Sequence, residues 1–500
     1  MNRTLREVAD CLSGDVTYEA LEPHGLFKAL GQNCLISVIA DGEWETKTVQ
    51  TACNNSQDAD KGALFFCFKG ETSDGHLYAE DAANRGATAI IAERDPFAMQ
   101  RLDNKQFPPV FIVNNSLHAL WRIALLQRAS AQATIIGITG SAGKTSVKEL
   151  LAQIFATKGS TEKNHRNFNT QIGLSISMIN ADTAADFWIM EVGISHAHDM
   201  DELGALLQPH VSIILNADTG HAEGLGELGV AAHKMKLGFY TAPGGTTYVN
   251  ADYPKLIAAM GSIKKYLLDK DITIIPFSTK APSKWKGSFL SSNGQTGKFT
   301  VRMEGDNVPF EAPFVGSYGA ENLAVIAAVA TQFGITPEAI QKVLNTASLP
   351  EGRFTRHELG TTTLIDDSYN ANPLSATKMV EAAHIIAQES NRQLILVLGE
   401  MKELGEEAAQ LHRTFGKNIA LAHPAMVFWK GGCFDDLNQG LQEGGYEGAL
   451  YQANTEDEFT RHLPSSFQQS VILVKGSRSN YLEKFVALLL HSVQGSHRAV

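Results

Sequence analysis

The sequence predicts an α/β protein in three domains. These are a small N-terminal α/β domain over residues 1–108, a central domain on a mostly parallel sheet over 109–348, and a C-terminal Rossmann-like α/β domain over 349–500. Three observations predict this. The chain has 500 residues, which at roughly 100–200 residues per domain divides into about three cores. Short apolar runs bounded by turn residues alternate with helical periodicity, the pattern of a parallel sheet crossed by helices. The pattern breaks near residue 108 and restarts near 349.

In the N-terminal block, CLISVIADG and GALFFCFKG read as strands. HLYAEDAANRGA reads as a helix closed by glycine, and TAIIAE as the next strand. NKQFPPVFIVNN reads as the linker into the central domain. There the helix SLHALWRIALLQRASA precedes the strand ATIIGIT, a glycine loop and its helix, then the strands FWIMEVG, VSIILNA and TTYVNA. GSFLSSNGQTGKFTVRME carries turn signals at Asn293-Gly294 and Thr296-Gly297 and reads as antiparallel hairpins. GAENLAVIAAVATQFG is a long apolar helix. In the last block TTLIDDSY, QLILVLGE, AMVFWKGG and SVILVKGS read as strands with helices between them. Neither an internal repeat nor a low-complexity tract interrupts this order.

Composition narrows the function. Forty-two basic against 54 acidic residues give a net charge of −12, which argues against a nucleic-acid or anionic-membrane surface. Small anions remain open, since helix N-termini and local cations hold them. Five scattered cysteines without a CxxC pair fit a reduced compartment. The charged start MNRTLREVADCLSG has no apolar core of a signal peptide, and no apolar run reaches the ~18–20 residues of a membrane span. A soluble cytoplasmic protein is expected.

The chemistry centres on GITGSAGKTSVKE, residues 137–149. A strand leads in and a helix leads out, so the stretch reads as a P-loop with its first glycine displaced, Ile138 standing where the strict pattern has glycine, rather than as a glycine-rich turn with a solvent lysine. Gly140 and Gly143 let the backbone curl so that several N–H groups, Ser141 among them, point at a phosphate. The helix that follows adds its dipole. Lys144 neutralises phosphate charge, and Thr145 offers a hydroxyl to Mg²⁺. Glu191 ends an apolar strand, where a carboxylate faces the ligand crevice of an α/β sheet; a solvated strand-end glutamate is the plainer alternative. His221 follows the next strand and gains meaning only beside Glu191 and Thr145. At 366–373, DDSYNANP crowds short polar side chains at a strand end, which reads equally as a phosphate, metal or substrate site and as an Asx-rich turn. Arg353 in EGR sits at a domain junction, as a phosphate clamp or an ordinary ion pair. Lys475, Ser477 and Arg478 close the last strand, as a carboxylate or phosphate site or a solvated loop.

The ordered set TGSAGKTSVKE, NFNTQIGL, MEVGISH, GHAEGLG, HKMKL, EGRF, IDDSYNANP, GEMKELG and VKGSR resembles the Mur ligases, along essentially the whole chain. DGH at 74–76 and FKG at 68–70 extend the likeness to the N-terminal block. DDSYNANP and GEMKELG point to the branch that adds D-alanyl-D-alanine to a UDP-linked muramoyl tripeptide in peptidoglycan precursor synthesis. The resemblance implies ATP-dependent amide formation through an acyl phosphate, with two Mg²⁺ ions. It implies that Lys144 and Thr145 serve the ATP phosphates and metal, that Glu191 and His221 bind Mg²⁺, and that Lys234 carries a carbamate that holds a second Mg²⁺. Without the resemblance Lys234 reads as a helix-surface lysine. Asn322 matches an adenine contact, and Arg353 and Asp367 match nucleotide contacts from the C-terminal domain. Ser56, Asp74, His76, Asn167, Asn169, Asn370, Asn372, Lys475, Ser477 and Arg478 fall in motifs implied to bind substrate. His196 stands near the amine's deprotonation, as a base or a structural histidine. A monomer working on small molecules is implied.

The departures lie in the outer shell. Asn55-Ser56-Gln57 replaces the family's Asp-Ser-Arg of the uridine site, removing a positive charge. Gly316-Ser317-Tyr318-Gly319 replaces Gly-x-His-Asn, Ser479-Asn480-Tyr481 replaces Gly-Met-Arg, and Lys236 replaces a glutamate. Three functions are weighed: the cell-wall ligase, a Mur-type ligase recruited to a different acid and amine, and a nucleotide-binding scaffold without catalysis. Retention of Lys144, Glu191, His221 and Lys234 speaks against the scaffold.

Overall fold

The computed structural model describes residues 1–14, 33–103, 106–165, 167–217, 229–303, 305–464 and 467–497. The chain forms two compact units, one of residues 1–137, 159–193 and 198–210, the other of 138–158, 194–197 and 211–500.

The first unit contains a five-stranded sheet in the order Leu35–Ile39, Val110–Val113, Ala89–Ala92, Ala63–Phe66, Thr51–Cys53. The last four strands run parallel and the first antiparallel. ALFF and AIIA are buried at every position, as strands covered on both faces must be. The expected linker corrects to a strand here: Val110–Val113 pairs with Ala89–Ala92 on one side and Leu35–Ile39 on the other. Two prolines, Pro108 and Pro109, masked a run whose apolar side chains belong in the core. The expected helix begins as a 3₁₀ turn, Gly75–Tyr78, and continues as Ala79–Arg85, closed by Gly86 at φ 113°. In the same unit Thr161–Lys163 pairs in parallel with Phe187–Glu191, a strand buried throughout that ends on Glu191.

The second unit holds two sheet regions. Val211–Ile214, Thr246–Asn250, Thr273–Ser278 and Trp285–Ser292 run parallel. Gly297–Met303 and Asp306–Ala312 extend them as antiparallel hairpins. The first hairpin turns at Asn293-Gly294 as expected. Thr296 closes that same turn and Gly297 begins the next strand, and the second turn carries Gly305 at φ 113°. Helix Ser317–Gln332 is buried continuously from Tyr318 to Ala330, as a helix apolar on all sides must be.

The C-terminal sheet has the order Thr355–Leu359, Thr362–Asp367, Ser470–Lys475, Gln393–Gly399, Met426–Lys430, Ala449–Gln452. Only its first pair is antiparallel. Register places Asp367 beside Lys475, and Gly399 beside Lys430, at the carboxyl ends of the parallel strands, the edge where open α/β sheets bind ligands. Among the described residues no helix is long and apolar enough to cross a membrane.

Candidate active site

The glycine loop leaves the strand Thr134–Thr139 and enters the helix Lys144–Phe155 at Gly143, whose φ of 84° is left-handed. A side chain there is disfavoured twice, by that φ and because a Cβ would stand 2.8 Å from Asn322 Oδ1. A Cβ on Gly140 would stand 2.9 Å from Leu215 Cβ. Asn216, at the end of the neighbouring strand, braces the curl. The Ala142 N–H donates to Asn216 Oδ1 at 2.7 Å, Asn216 Nδ2 donates to Ala142 O at 3.1 Å, and the Ser141 N–H donates to Asn216 O at 3.1 Å. Lys144 Nζ donates to Gly140 O at 2.7 Å, folding the ammonium over its own loop. Thr145 is buried in the first helical turn. Asn322, 3 % exposed, has an Nδ2 with no hydrogen-bond partner in the protein. One turn earlier on the same helix face, the buried Tyr318 hydroxyl also lacks one. Burial and the nearby Asp367 charge raise the Tyr318 pKa well above its usual value.

The polar turn of the C-terminal segment reaches this loop. Asn372 caps the helix Pro373–Glu389 and donates from Nδ2 to Ser141 O at 2.8 Å. Behind it, Lys475 pairs with Asp367 and donates to Asn370 O at 2.9 Å. Burial pushes the Lys475 pKa down, and the Asp367 charge opposes that. Asp367 also accepts the Phe354 N–H at 2.9 Å, tying the EGRF segment to the same carboxylate. The Arg353 guanidinium lies 4.2 Å from the Tyr369 ring centroid, and Arg478 lies 5.9 Å from it. Three motifs, EGR, DDSYNANP and KGSR, therefore meet at Tyr369. Arg478 also pairs with Glu483 at 3.3 Å. Ser477 is buried, and its Oγ accepts the Lys402 N–H at 3.0 Å. Asn370 is exposed.

In the first unit Glu191 is 2 % exposed, which removes the solvated alternative. Its Oε1 accepts from Asn169 Nδ2 at 2.7 Å. Asn164, fully buried, grips the strand end: its Oδ1 accepts the Glu191 N–H at 3.0 Å, and its Nδ2 donates to Glu191 O at 2.9 Å and Phe168 O at 2.8 Å. Asn167 is exposed beside it. In the N-terminal sheet region the Glu93 N–H donates to His76 Nε2 at 3.2 Å, which leaves the ring proton on Nδ1, 2.6 Å from Asp74 Oδ1. The Arg94 guanidinium foremost, then the His76 backbone N–H, hold the Asp74 carboxyl well below the usual carboxylate range. Asp74 and His76 are thus bonded to each other and to Arg94 and Glu93, just past the strand Ala89–Ala92. Ser56 is buried in a 3₁₀ turn capped by Asn55, while Gln57 is exposed.

Lys234 is 1 % exposed within the helix Gly229–Phe239, so the surface alternative fails. His196 is exposed. His221 lies outside the described residues. Among those described, no three His, Cys, Asp or Glu side chains group as metal ligands. Sequence reasoning missed Asn164, Asn216 and Tyr369. Each lay inside a quoted motif or at a strand end, but nothing in its spacing separates a brace from a turn residue.

Three family models match the chain: "Mur ligase middle domain" over 138–330, "Mur ligase, glutamate ligase domain" over 352–478, and "Mur ligase family, catalytic domain" over 52–118. A UDP-N-acetylmuramoyl-tripeptide–D-alanyl-D-alanine ligase of Mycobacterium bovis is 30% identical over 386 residues, covering 71% of this chain and 72% of that one. The enzyme of the same name from Escherichia coli is 28% identical over 448 residues, covering 88% and 94%. A crystal structure of MurF from Acinetobacter baumannii superposes with a TM-score of 0.76 at 24% identity, covering 90% and 95%. On these grounds the chain belongs to the Mur ligase family.

Proposed function

We propose that this protein is an ATP-dependent amide ligase that joins D-alanyl-D-alanine to UDP-N-acetylmuramoyl-tripeptide in peptidoglycan precursor synthesis. The observation that carries the reading is the 2.8 Å bond from Asn372 to Ser141 O, because it ties the polar C-terminal turn to a phosphate-binding loop. The relatives that bear this activity in their names supply the substrates. In this reading the domains divide at about 108 and 348, into UDP-substrate, ATP and ligase domains.

The loop residues Gly140, Ser141, Gly143, Lys144 and Thr145 hold the ATP phosphates. The unpartnered Nδ2 of Asn322 suits the base. Arg353, parked on Tyr369, turns to phosphate, while Asp367 and Lys475 fix the turn. A carboxylate oxygen of the muramoyl tripeptide attacks the γ-phosphorus, ADP leaves, and an acyl phosphate forms. The amine of the dipeptide attacks that carbonyl, inorganic phosphate leaves, and the amide remains. The protein contributes position and fixed charge rather than covalent chemistry. His196, which is exposed, is read as the base for the incoming amine. Asn167, Asn169, Asn370, Asn372, Lys475, Ser477 and Arg478 are read as substrate-binding residues. Ser56, Asp74 and His76 shape the uridine loop.

By the chemistry of each side chain, the Thr145 hydroxyl and the Glu191 carboxylate are hard oxygen donors of the kind Mg²⁺ takes. His221 and a carbamylated Lys234 complete the expected set for two ions. A lysine buried like Lys234 fits carbamylation, which converts an amine into an oxygen ligand of the required charge. Magnesium, when bound, neutralises charge on the transferring phosphoryl group. The protein is read as a cytoplasmic monomer acting on small molecules.

The exposed Gln57, where the family carries arginine, favours one second reading: a Mur-type ligase recruited to another acid and amine. Mass spectrometry of a reaction with ATP, Mg²⁺, the UDP-linked tripeptide and D-alanyl-D-alanine separates the two. The proposal requires a product equal to acid plus amine less one water. Unchanged acid, from protein that binds ATP, moves the assignment to the recruited ligase.

A further inference from the structure

The helix Pro373–Glu389 meets the start of the helix Ser317–Gln332 through Lys378, Glu381 and Ile385, and the same stripe at helical spacing ends on Glu389, which meets the strand Trp285–Ser292. Lys378 Nζ donates to Glu321 Oε2 at 2.6 Å and to the Tyr253 hydroxyl at 3.0 Å. The Tyr253 hydroxyl lies 3.3 Å from Glu321 Oε2. Glu381 Oε2 accepts the Ser317 hydroxyl at 3.0 Å, and Glu389 Oε1 accepts the Ser292 N–H at 2.9 Å. Ile385 approaches within 3.5 Å of where a Cβ on Gly316 would be. The two helices belong to segments matched by different family models, the middle domain and the glutamate ligase domain.

The charged pair is desolvated, with side chains only 11% and 10% exposed. Burying two charges gains little or no net stability over an apolar pair, but a pair that must meet in one geometry fixes orientation. Breaking it on one side leaves a buried charge unpaired, so the docked arrangement is coupled to the pair. The first residue before this helix is Asn372, which bonds the glycine loop at Ser141. A stiff helix carries any rotation at Lys378 directly to Asn372.

We propose that Lys378, Glu321 and Tyr253 form a polar latch that docks the C-terminal segment on the central one and thereby sets Asn372 against the phosphate loop. They are positioning residues. None is placed in the catalytic set. The consequence for nucleotide rests on the ATP-ligase reading, whereas the docking itself does not.

The test uses the full chain. Small-angle scattering without nucleotide reads docking, and calorimetric titration with ATP and Mg²⁺ reads the consequence. Lys378→Glu sets like charges against each other. It is expected to enlarge the radius of gyration and to weaken ATP about tenfold, as a competent fraction cut to about one-tenth requires. The swap Glu321→Lys with Lys378→Glu is expected to restore the wild-type radius and an affinity within about twofold. Lys378→Met carries the same expectation as Lys378→Glu if the reversal fails to fold. A single variant that folds with the wild-type radius, or a swap that restores nothing, overturns the latch. Wild-type protein that does not bind ATP overturns the ATP reading and leaves the scattering comparison to decide the latch.

Discussion

Gly143 shows how much one missing side chain decides. Its left-handed φ lets the chain turn from loop to helix, and the space where a Cβ would stand is taken by Asn322 Oδ1 at 2.8 Å. Gly143→Ala is therefore expected to cost about 1–2 kcal/mol in backbone conformation alone. It also has to push Asn322 aside, so ATP affinity should fall by more than the drop in melting temperature accounts for. Calorimetry beside a thermal melt measures both. Unchanged affinity would mean that the loop and Asn322 do not share a ligand. The placement of Lys144 and Thr145 at the start of the helix after the glycine loop was legible in the sequence, because the motif fixes their spacing from the glycines. Asn216 and Tyr369 were not. A brace or an aromatic platform acts on whatever the fold brings beside it, and Asn and Tyr carry no spacing rule of their own. The burial of Lys234 was not legible from the residues themselves: helical periodicity in an apolar stretch does not tell which polar residue turns inward.

At the scale of elements, the candidate site residues gather at strand ends. Glu191, Asn216, Asp367 and Lys475 each end or just follow a strand, and each is held by bonds from a neighbouring loop. The clearest case is Asn164, whose side chain takes both backbone groups of Glu191 and a third bond to Phe168. Asn164→Ala would leave those buried groups unsatisfied, at about 1–3 kcal/mol. The expected outcome is a melting temperature lower by several degrees, at roughly 2–4 °C per kcal/mol in a domain of 150–250 residues. A melt that does not move would show that Glu191 is held by other means. The strands legible in advance were those rich in Val, Ile, Leu and Phe and buried on both faces, such as Ser470–Lys475 and Gln393–Gly399. Those missed include polar or short edge strands, Thr355–Leu359, which reads TRHEL, and Ala449–Gln452, only partly buried, and also the interior strand Thr273–Ser278, whose apolar run carries Pro276. Edge position relaxes the apolar requirement, so pattern alone gives no signal. Val110–Val113 was mistaken for the opposite reason, because prolines beside it spoke louder than its own apolar run.

At the scale of the whole molecule, the sequence departs from its family mostly outside the phosphate loop. Gln57 is exposed on a capped turn in place of a cation, and Tyr318 brings a buried hydroxyl in place of an imidazole. The phosphate loop keeps its glycines, its lysine and its hydroxyl, and the polar C-terminal turn is bonded to it. That combination argues that the energy source is the family's and that any divergence lies in what is joined. Fold class and catalytic type were readable from motif order because ATP chemistry constrains many residues at once. The acid and amine were less readable, because a few exposed side chains choose them. The most direct measurement is phosphate release from ATP and Mg²⁺, with UDP-N-acetylmuramoyl-tripeptide and D-alanyl-D-alanine added singly and then together. The account predicts release only when both are present, one phosphate for each amide formed. Release with neither substrate required, or none with both from protein that binds ATP, would contradict it.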